Sequence, residues 1–430
     1  MRALVRVVLL AVVRLFYRTV AVSHSERIPA SGPCLLLANH PNGLLDPMVL
    51  RLALRRPVAF LAKSTFFKSW IGRLAMDAFD AIPVYRQKDG ADTSQNEKTF
   101  ELGRNLFDRK GWLAMFPEGV SHSDPSLKPL KTGAARLLLS AEARRDFALG
   151  VTVVPVGLLF DDKETFRSRV AVSVGEPLRL GHYAAAYAAD ERAAVDALTV
   201  ELHDALAKVT LEADTSELWR GFVAVAAWTD PEAAHDLAAG EARARRLAEA
   251  YRRLRVDDPA RADRVVEVTR RFVRTLDAIG VTDPLSLDEN APTAPLWTTL
   301  AVLLLAPLAA IGAVLGWLPY RLVRPLSRRI SRGETDVVGT VKLLLGLLVM
   351  TVTYVGEAVA VGVPFGWTAG LATFALAPLT GFVALRFDER LQLRRDAFRG
   401  LWVRATDARV AQAVNDQRRE LIRLVESALS

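Results

Sequence analysis

One cysteine, Cys34, occurs in 430 residues. That excludes an intrachain disulfide and any zinc site built on cysteine, and it suits a reducing compartment. Histidine is scarce too, at six, and no metal is expected. There is no finger, no helix-turn-helix and no basic–aromatic ribonucleoprotein pattern, which leaves nucleic acid without a reader. Repeats and low-complexity tracts are missing as well. Charge is absent from two long stretches. None falls between residues 291 and 320, and Glu357 stands alone between 343 and 385.

What is present explains those gaps. The chain is 51% hydrophobic and its mean hydropathy is +0.18, yet it carries 56 basic and 48 acidic residues. Apolar and charged residues must therefore be segregated, and disorder is excluded because so much apolar material can bury a core. The length predicts two to three domains. The net charge of +8 is either a solvated basic surface or an attraction to an anionic membrane or a polyanionic substrate.

A membrane helix needs about 20 apolar residues. Segments 343–363 and 365–385 have that length, with Pro364 between them, and predict a transmembrane hairpin. Segment 296–320 is long enough too, but Pro307 lies at its middle, so it either spans or enters and returns as a broken helix. Arg321, Arg324, Arg328, Arg329 and Arg332 follow it, and Arg386, Arg390, Arg394 and Arg395 follow the hairpin. The positive-inside bias puts both clusters in the cytoplasm. Glu357 is either a functional intramembrane carboxylate, as in a transporter, or a side chain buried against a neighbouring helix. Two or three spans are few for a transporter of the usual repeat architecture.

At the other end, arginines 2, 6, 14 and 18 fall on a half-cylinder opposite Leu, Val and Phe, which predicts an interfacial amphipathic helix over 1–28. A signal peptide is the alternative, with Ala21-Val22-Ser23 as the cleavage site. Its apolar run would be short, and Arg14 and Arg18 would lie where only apolar residues belong.

Between these ends, β-rich runs at 34–38, 58–62, 82–85, 112–116, 151–159 and 170–174 alternate with helical patterns at 47–53, 66–78, 95–108 and 132–143. That alternation predicts an α/β domain over 29–180. A helical subdomain rich in Ala, Glu, Arg and Leu follows over 181–290, then a membrane region over 291–387 and an Arg-rich helix over 388–430.

Four motifs close predicted strands of the α/β domain, where such a sheet presents ligands. In the first, Asn39-His40-Pro41-Asn42-Gly43-Leu44-Leu45-Asp46-Pro47, His40 stands at a strand end with a carboxylate behind it. Either Asp46 orients His40 as a general base for a hydroxyl, or Asp46 only caps the next helix and His40 is a loop residue. In the second, Arg86 closes Ile82-Pro83-Val84-Tyr85 and is either a phosphate fork or a surface ion pair. The third, Phe116-Pro117-Glu118-Gly119-Val120-Ser121, offers a carboxylate, a glycine backbone and a hydroxyl. Lys128, Lys131 and Arg136 follow it near a helix start, an arrangement that favours phosphate. The fourth, Val153-Val154-Pro155-Val156-Gly157, reads as core packing.

In this order the motifs resemble those of the glycerolipid acyltransferases, the glycerol-3-phosphate and lysophosphatidate acyltransferase family. The family has His-x4-Asp; here five residues separate His40 from Asp46. That pattern is similar to the branch holding the fungal glycerol-3-phosphate/dihydroxyacetone-phosphate acyltransferases. The resemblance implies an α/β acyltransferase domain with a helical subdomain and C-terminal transmembrane helices. It implies transfer of an acyl group from acyl-CoA or acyl-carrier protein to a hydroxyl of glycerol-3-phosphate or lysophosphatidate, with no other cofactor. His40 and Asp46 would be catalytic. Asn42, Arg86, Glu118, Gly119 and Ser121 would bind substrate, with Lys63 and Lys131 near a phosphate or the CoA diphosphate on residue type alone. Membrane lipids would be partners and nucleic acid would not. The domain would face the cytoplasm, where its donor is, so that 296–320 would re-enter rather than cross. The alternatives are an enzyme that remodels another lysophospholipid and a non-catalytic lipid-binding scaffold.

Overall fold

A computed structural model describes residues 2–86, 92–281, 283–287, 296–331 and 335–429. The start of the membrane region expected at 291, and Arg332 in the first arginine cluster, lie outside the described residues. The chain divides into two compact units. One takes in the chain up to Val223 with His235–Ala248 and Thr335–Thr340, and the other takes the remainder.

The first unit is built on strands β1 (Thr19–Ser23), β2 (Cys34–Ala38), β3 (Ala59–Lys63), β4 (Ile82–Val84), β5 (Trp112–Met115), β6 (Thr152–Phe160), β7 (Arg169–Val174) and β8 (Leu178–Arg179). They form one sheet in the order β1-β7-β6-β2-β5-β3-β4, with β8 beside β6. Strands β6, β2, β5, β3 and β4 run parallel, while β7 and β8 oppose β6. Cys-Leu-Leu-Leu-Ala of β2 is buried at every position, as a parallel strand covered on both faces must be.

Helices α1 (Arg2–Phe16), α2 (Leu45–Leu54), α3 (Trp70–Ala78), α4 (Asn96–Asp108), α5 (Gly133–Ala143), α6 (Ala184–Ala189) and α7 (Glu191–Ala207) cover the sheet. Leu35 and Leu37 of β2 join Phe107 of α4, Leu137 and Leu138 of α5, and Val195, Leu198 and Leu202 of α7 in one core. The alternate residues of β2 point to the other face, where α1, α2 and α3 pack together. Since α7 belongs to the sheet's core, this unit runs past the boundary expected at residue 180.

The N-terminal helix is shorter than the expected 1–28. It stops at Phe16, and residues 19–23 form a strand paired with β7 from Thr19↔Arg169 to Ser23↔Ser173. Thr-Val-Ala-Val-Ser is β-branched at three of its five positions and gains a full ladder at the sheet edge.

The remaining helices are α8 (Ser216–Thr229), α9 (Pro231–His235), α10 (Leu237–Asp257), α11 (Pro259–Ile279), α12 (Leu296–Ile330), α13 (Thr335–Phe365), α14 (Trp367–Thr406) and α15 (Ala408–Leu429). Within the second unit, α11 and α15 pack antiparallel. Arg261 Nη2 donates to the Ser427 carbonyl at 2.6 Å, and Arg271 Nη2 lies 2.7 Å from Glu420 Oε2. Val268, Phe272 and Leu276 are buried on α11, as are Val414, Leu421 and Val425 on α15.

Among the described residues, three helices are long and apolar enough to cross a membrane, over Leu303–Ile330, Val337–Phe365 and Trp367–Gln392. Two features differ from expectation. Helix α12 runs unbroken through Pro307, Pro319 and Pro325, so Pro307 does not divide it; apolar helices tolerate proline when neighbours and local adjustment re-satisfy the freed carbonyls. The hairpin turns at Gly366, whose φ of +91° suits glycine, while Pro364 sits in the last turn of α13.

Candidate active site

The parallel strands end on one edge of the sheet, and the motif residues follow those ends. Across the edge come Lys163 after β6, His40 after β2, Glu118 after β5, Lys63 at the end of β3 and Arg86 after β4.

His40 and Asp46 meet. Nδ1 of His40 lies 2.8 Å from Oδ2 of Asp46. The same oxygen accepts the Asn42 N–H at 2.8 Å. Asp46 is fully buried while His40 keeps 18% of its side chain exposed. The carboxylate therefore faces the protein and the imidazole faces the solvent edge. Five residues fit between them because residues 42–45 make a turn, closed by Leu45 N–H to the Asn42 carbonyl at 3.0 Å. Asp46 does not cap the helix, as its N-cap position is held by Leu44 without a side-chain bond. Burial pushes the Asp46 carboxyl up from its usual range, and its hydrogen bond from His40 pulls the other way. The imidazole stacks on Phe116 with ring centres 4.1 Å apart and planes 15° from parallel. That leaves Nε2 as the nitrogen for a substrate proton.

Glu118 points inward. It is 2% exposed. Oε1 accepts the His40 backbone N–H at 3.0 Å, and Oε2 accepts the Lys128 N–H at 3.0 Å and pairs with His122 Nε2. The backbone N–H of Asp124 donates to Nδ1 of His122 at 3.2 Å, so Nε2 carries the proton toward Glu118. The carboxylate expected to hold an acceptor hydroxyl instead ties three loop segments together. Asn42 is likewise buried rather than open to substrate. Its Nδ2 donates to the Tyr17 hydroxyl at 2.7 Å and to the Lys163 carbonyl at 3.3 Å.

Arg86, Gly119 and Lys131 form a second group. Arg86 Nη1 donates to the Gly119 carbonyl at 3.3 Å. Gly119 has φ +72°, a backbone conformation that favours glycine, and the outer end of the Lys131 side chain lies against its open face. Lys131 N–H donates to the Pro117 carbonyl at 2.8 Å. Ser121 is partly buried on the same turn, and Lys63 is exposed one strand away, at the end of β3.

Beside His40 lies a cavity of about 570 Å³, bounded by Glu118, His122, Lys163, Trp219 and Arg220 and floored by Leu158–Phe160 of β6. Sequence reasoning missed its far wall. Lys163 Nζ donates to the Pro41 carbonyl at 2.7 Å and to Ser123 Oγ at 2.5 Å. Asn39 pins the His40 loop to β6, accepting from Leu158 N–H at 2.7 Å and donating to its carbonyl at 3.1 Å. His122, four residues after Glu118, had a visible spacing. Lys163 and Trp219 had no local signal, since only the sheet order brings them near His40.

Residues 19–159 match the family model described as Acyltransferase. Glycerol-3-phosphate O-acyltransferase 2 of Saccharomyces cerevisiae is 37% identical over 121 residues, 28% of this chain and 16% of that protein. An uncharacterized acyltransferase of Schizosaccharomyces pombe is 25% identical over 291 residues, 47% of this chain and 43% of its own length. A probable 1-acyl-sn-glycerol-3-phosphate acyltransferase of Arabidopsis thaliana is 28% identical over 124 residues, 27% of this chain and 32% of that protein. The chain thus spans less than half the length of each of these relatives. Its residues 19–159 are an acyltransferase-family domain, similar in sequence to the glycerolipid acyltransferases.

Proposed function

We propose that the chain is a membrane-bound acyltransferase. It moves an acyl group from a thioester donor, acyl-CoA or acyl-carrier protein, to a hydroxyl of glycerol-3-phosphate or its 1-acyl derivative. The observation that carries this reading is the 2.8 Å contact between a buried Asp46 and a partly exposed His40. Nδ1–H donates to Asp46, so the Nε2 lone pair takes the acceptor's hydroxyl proton as the oxygen attacks the thioester carbon. Asp46 holds the ring and balances the imidazolium, the logic of a triad whose nucleophile is the substrate. Collapse of the tetrahedral intermediate breaks the C–S bond, and the leaving thiolate takes the proton back from Nε2. General-base catalysis of this kind supplies roughly 10²–10⁴-fold.

Charge divides the substrates between the two sides of His40. The cavity is bordered by Asp124, Asp161, Asp162 and Glu164 against Lys163 and Arg220. A phosphate is better served by Arg86 and Lys131, where a guanidinium and an ammonium flank the Gly119 turn. The apolar floor of β6 suits the uncharged, acyl-bearing part of a substrate.

Arg321, Arg324, Arg328 and Arg329 after the first apolar segment and Arg386, Arg390, Arg394 and Arg395 after the second and third are the support for a cytoplasmic face, with the hairpin α13–α14 as the crossing element. The test is transfer from labelled acyl-CoA in purified membranes against a panel of acceptors, with His40→Ala as the control. Product that forms equally with His40→Ala sinks the reading.

A further inference from the structure

We propose that Tyr17 and Gly339 are positioning residues for the His40–Asp46 pair and act on it through Asn42. The proposal rests on the reading of His40 as the base. Both residues lie outside 19–159, the part of the chain that matches the family model. Asn42 joins the ends of the turn that brings the pair together. Its backbone N–H donates to Asp46 Oδ2, the oxygen that faces His40 Nδ1, and its carbonyl accepts the Leu45 N–H. The direction of the carboxylate therefore follows the orientation of the Asn42 backbone. The side chain fixes that orientation. It is fully buried and held by Nδ2, because Oδ1 has no hydrogen-bond partner among the described residues. The Lys163 carbonyl can only accept, which sets the sense of the amide, so the Tyr17 oxygen accepts as well.

Tyr17 is a stiff anchor. The Phe16 carbonyl accepts the Arg167 N–H at 2.6 Å, and the Arg18 N–H donates to the Ser168 carbonyl at 2.9 Å, so the backbone is pinned on both sides. The ring packs against Phe16 and Phe160 and is 1% exposed. A phenyl ring would fill that space as well. A buried hydroxyl needs a partner, and this one meets Asn42 Nδ2 at 2.7 Å. Gly339 closes the other side of the amide. It stands near the start of α13, in the stretch Thr335–Thr340 that belongs to the same unit as the sheet. A Cβ at Gly339 would lie 2.8 Å from Asn42 Oδ1, 2.8 Å from the Lys163 carbonyl oxygen and 3.1 Å from Leu45 Cδ1. That carbonyl is backbone, and the Asn42 amide is bonded to it. A methyl group there has to push either the helix or the turn, and the turn carries Asp46.

The test follows the His40 ring itself by nitrogen NMR of the full chain in detergent, with isotope-labelled histidine. The sample is held at about pH 9, where an ordinary imidazole is neutral, and the His40 signals are those lost in His40→Ala. Wild type should show a protonated Nδ1 and a bare Nε2. Tyr17→Phe, which keeps the ring, and Gly339→Ala should both move these shifts toward the average of the two tautomers, as Asp46→Ala does. Turnover in Tyr17→Phe should fall about ten-fold, within the ~10²-fold that a misplacement of about 1 Å costs, while both substrate KM values stay within about two-fold. Tyr17→Phe should cost nothing further in an Asn42→Ala background. Unchanged His40 shifts in Tyr17→Phe and Gly339→Ala overturn the positioning role whatever the rates. Altered shifts together with wild-type turnover in His40→Ala uphold the positioning and sink the base instead. A Tyr17→Phe loss that adds in full to that of Asn42→Ala overturns the route through Asn42.

Discussion

Arg271 and Glu420 stand 149 residues apart in sequence and 2.7 Å apart in space. One lies on α11, before the apolar helices, and the other on α15, after them. Two ends that touch lie on one side of any membrane, so the chain between them crosses an even number of times. Among the described residues three helices are long and apolar enough, and they cannot each cross once. The hairpin α13–α14, proposed above as the crossing element, satisfies that parity. Single cysteines at Arg264 and Arg409 should react with an impermeant maleimide from the same side, and a cysteine at Gly366 from the opposite side. Labelling of Arg264 and Arg409 from opposite faces would falsify this topology.

His40→Ala should lower turnover by at least the ~10²–10⁴-fold of general-base catalysis. Asp46→Asn should lower it less, because the amide oxygen can still accept from His40 Nδ1 and Asn42 N–H while losing only the charge. Initial rates on folded, purified protein decide this; wild-type turnover in His40→Ala removes the base from the mechanism.

Arg86 and Glu118 should separate kinetically. Arg86 sits at the turn that suits a phosphate, so Arg86→Ala should raise the acceptor KM with a smaller change in kcat. Glu118 spends its oxygens on His40, Lys128 and His122. Glu118→Ala should therefore depress kcat and the thermal midpoint together, since unpairing buried donors costs about 1–3 kcal/mol each. A pure acceptor-KM effect in Glu118→Ala would restore it to the substrate side.

Burial raises the Asp46 carboxyl, and its bonds from His40 and Asn42 offset only part of that. Between its unfolded and native pKa values the native state holds the extra proton, so stability falls as pH rises through that window and levels off above it. Asp46→Asn removes the titration. The stability of Asp46→Asn relative to wild type, followed by thermal midpoint in detergent, should grow as pH climbs from the acid side. A difference that shrinks with pH contradicts the assigned direction.

Cys34 lies fully buried in β2, and burial pushes its thiol up to about 12. A thiol reagent should modify it only as the sheet unfolds, because the thiolate is the reactive form. Its labelling rate should track the unfolding transition in denaturant. Rapid labelling of native protein would mean that the centre of the sheet opens locally.

Local order was largely legible in the chain. Short β-branched and apolar runs between helical patterns placed β2 and β5 within a residue of where they lie, and strand-end motifs put His40 and Glu118 on one edge, because strand and helix periods are written in nearest neighbours. Composition alone also settled that apolar helices follow the α/β domain. The tertiary structure decided the rest. Asp46 reads equally as a helix cap or as a partner of His40, and only the 42–45 turn selects the second. Glu118 looks like a hand for substrate, but the His40 backbone and His122 fold onto it and occupy both oxygens. Residues 19–23 continue a helix by pattern and become a strand because β7 offers an unpaired edge. Pro307 signals a break by itself, yet α12 runs through it. Lys163 and Trp219 reach the cavity only because sheet order and the course of the following helices bring distant segments together. Contacts of that range depend on where other elements pack, and no local window of sequence contains them.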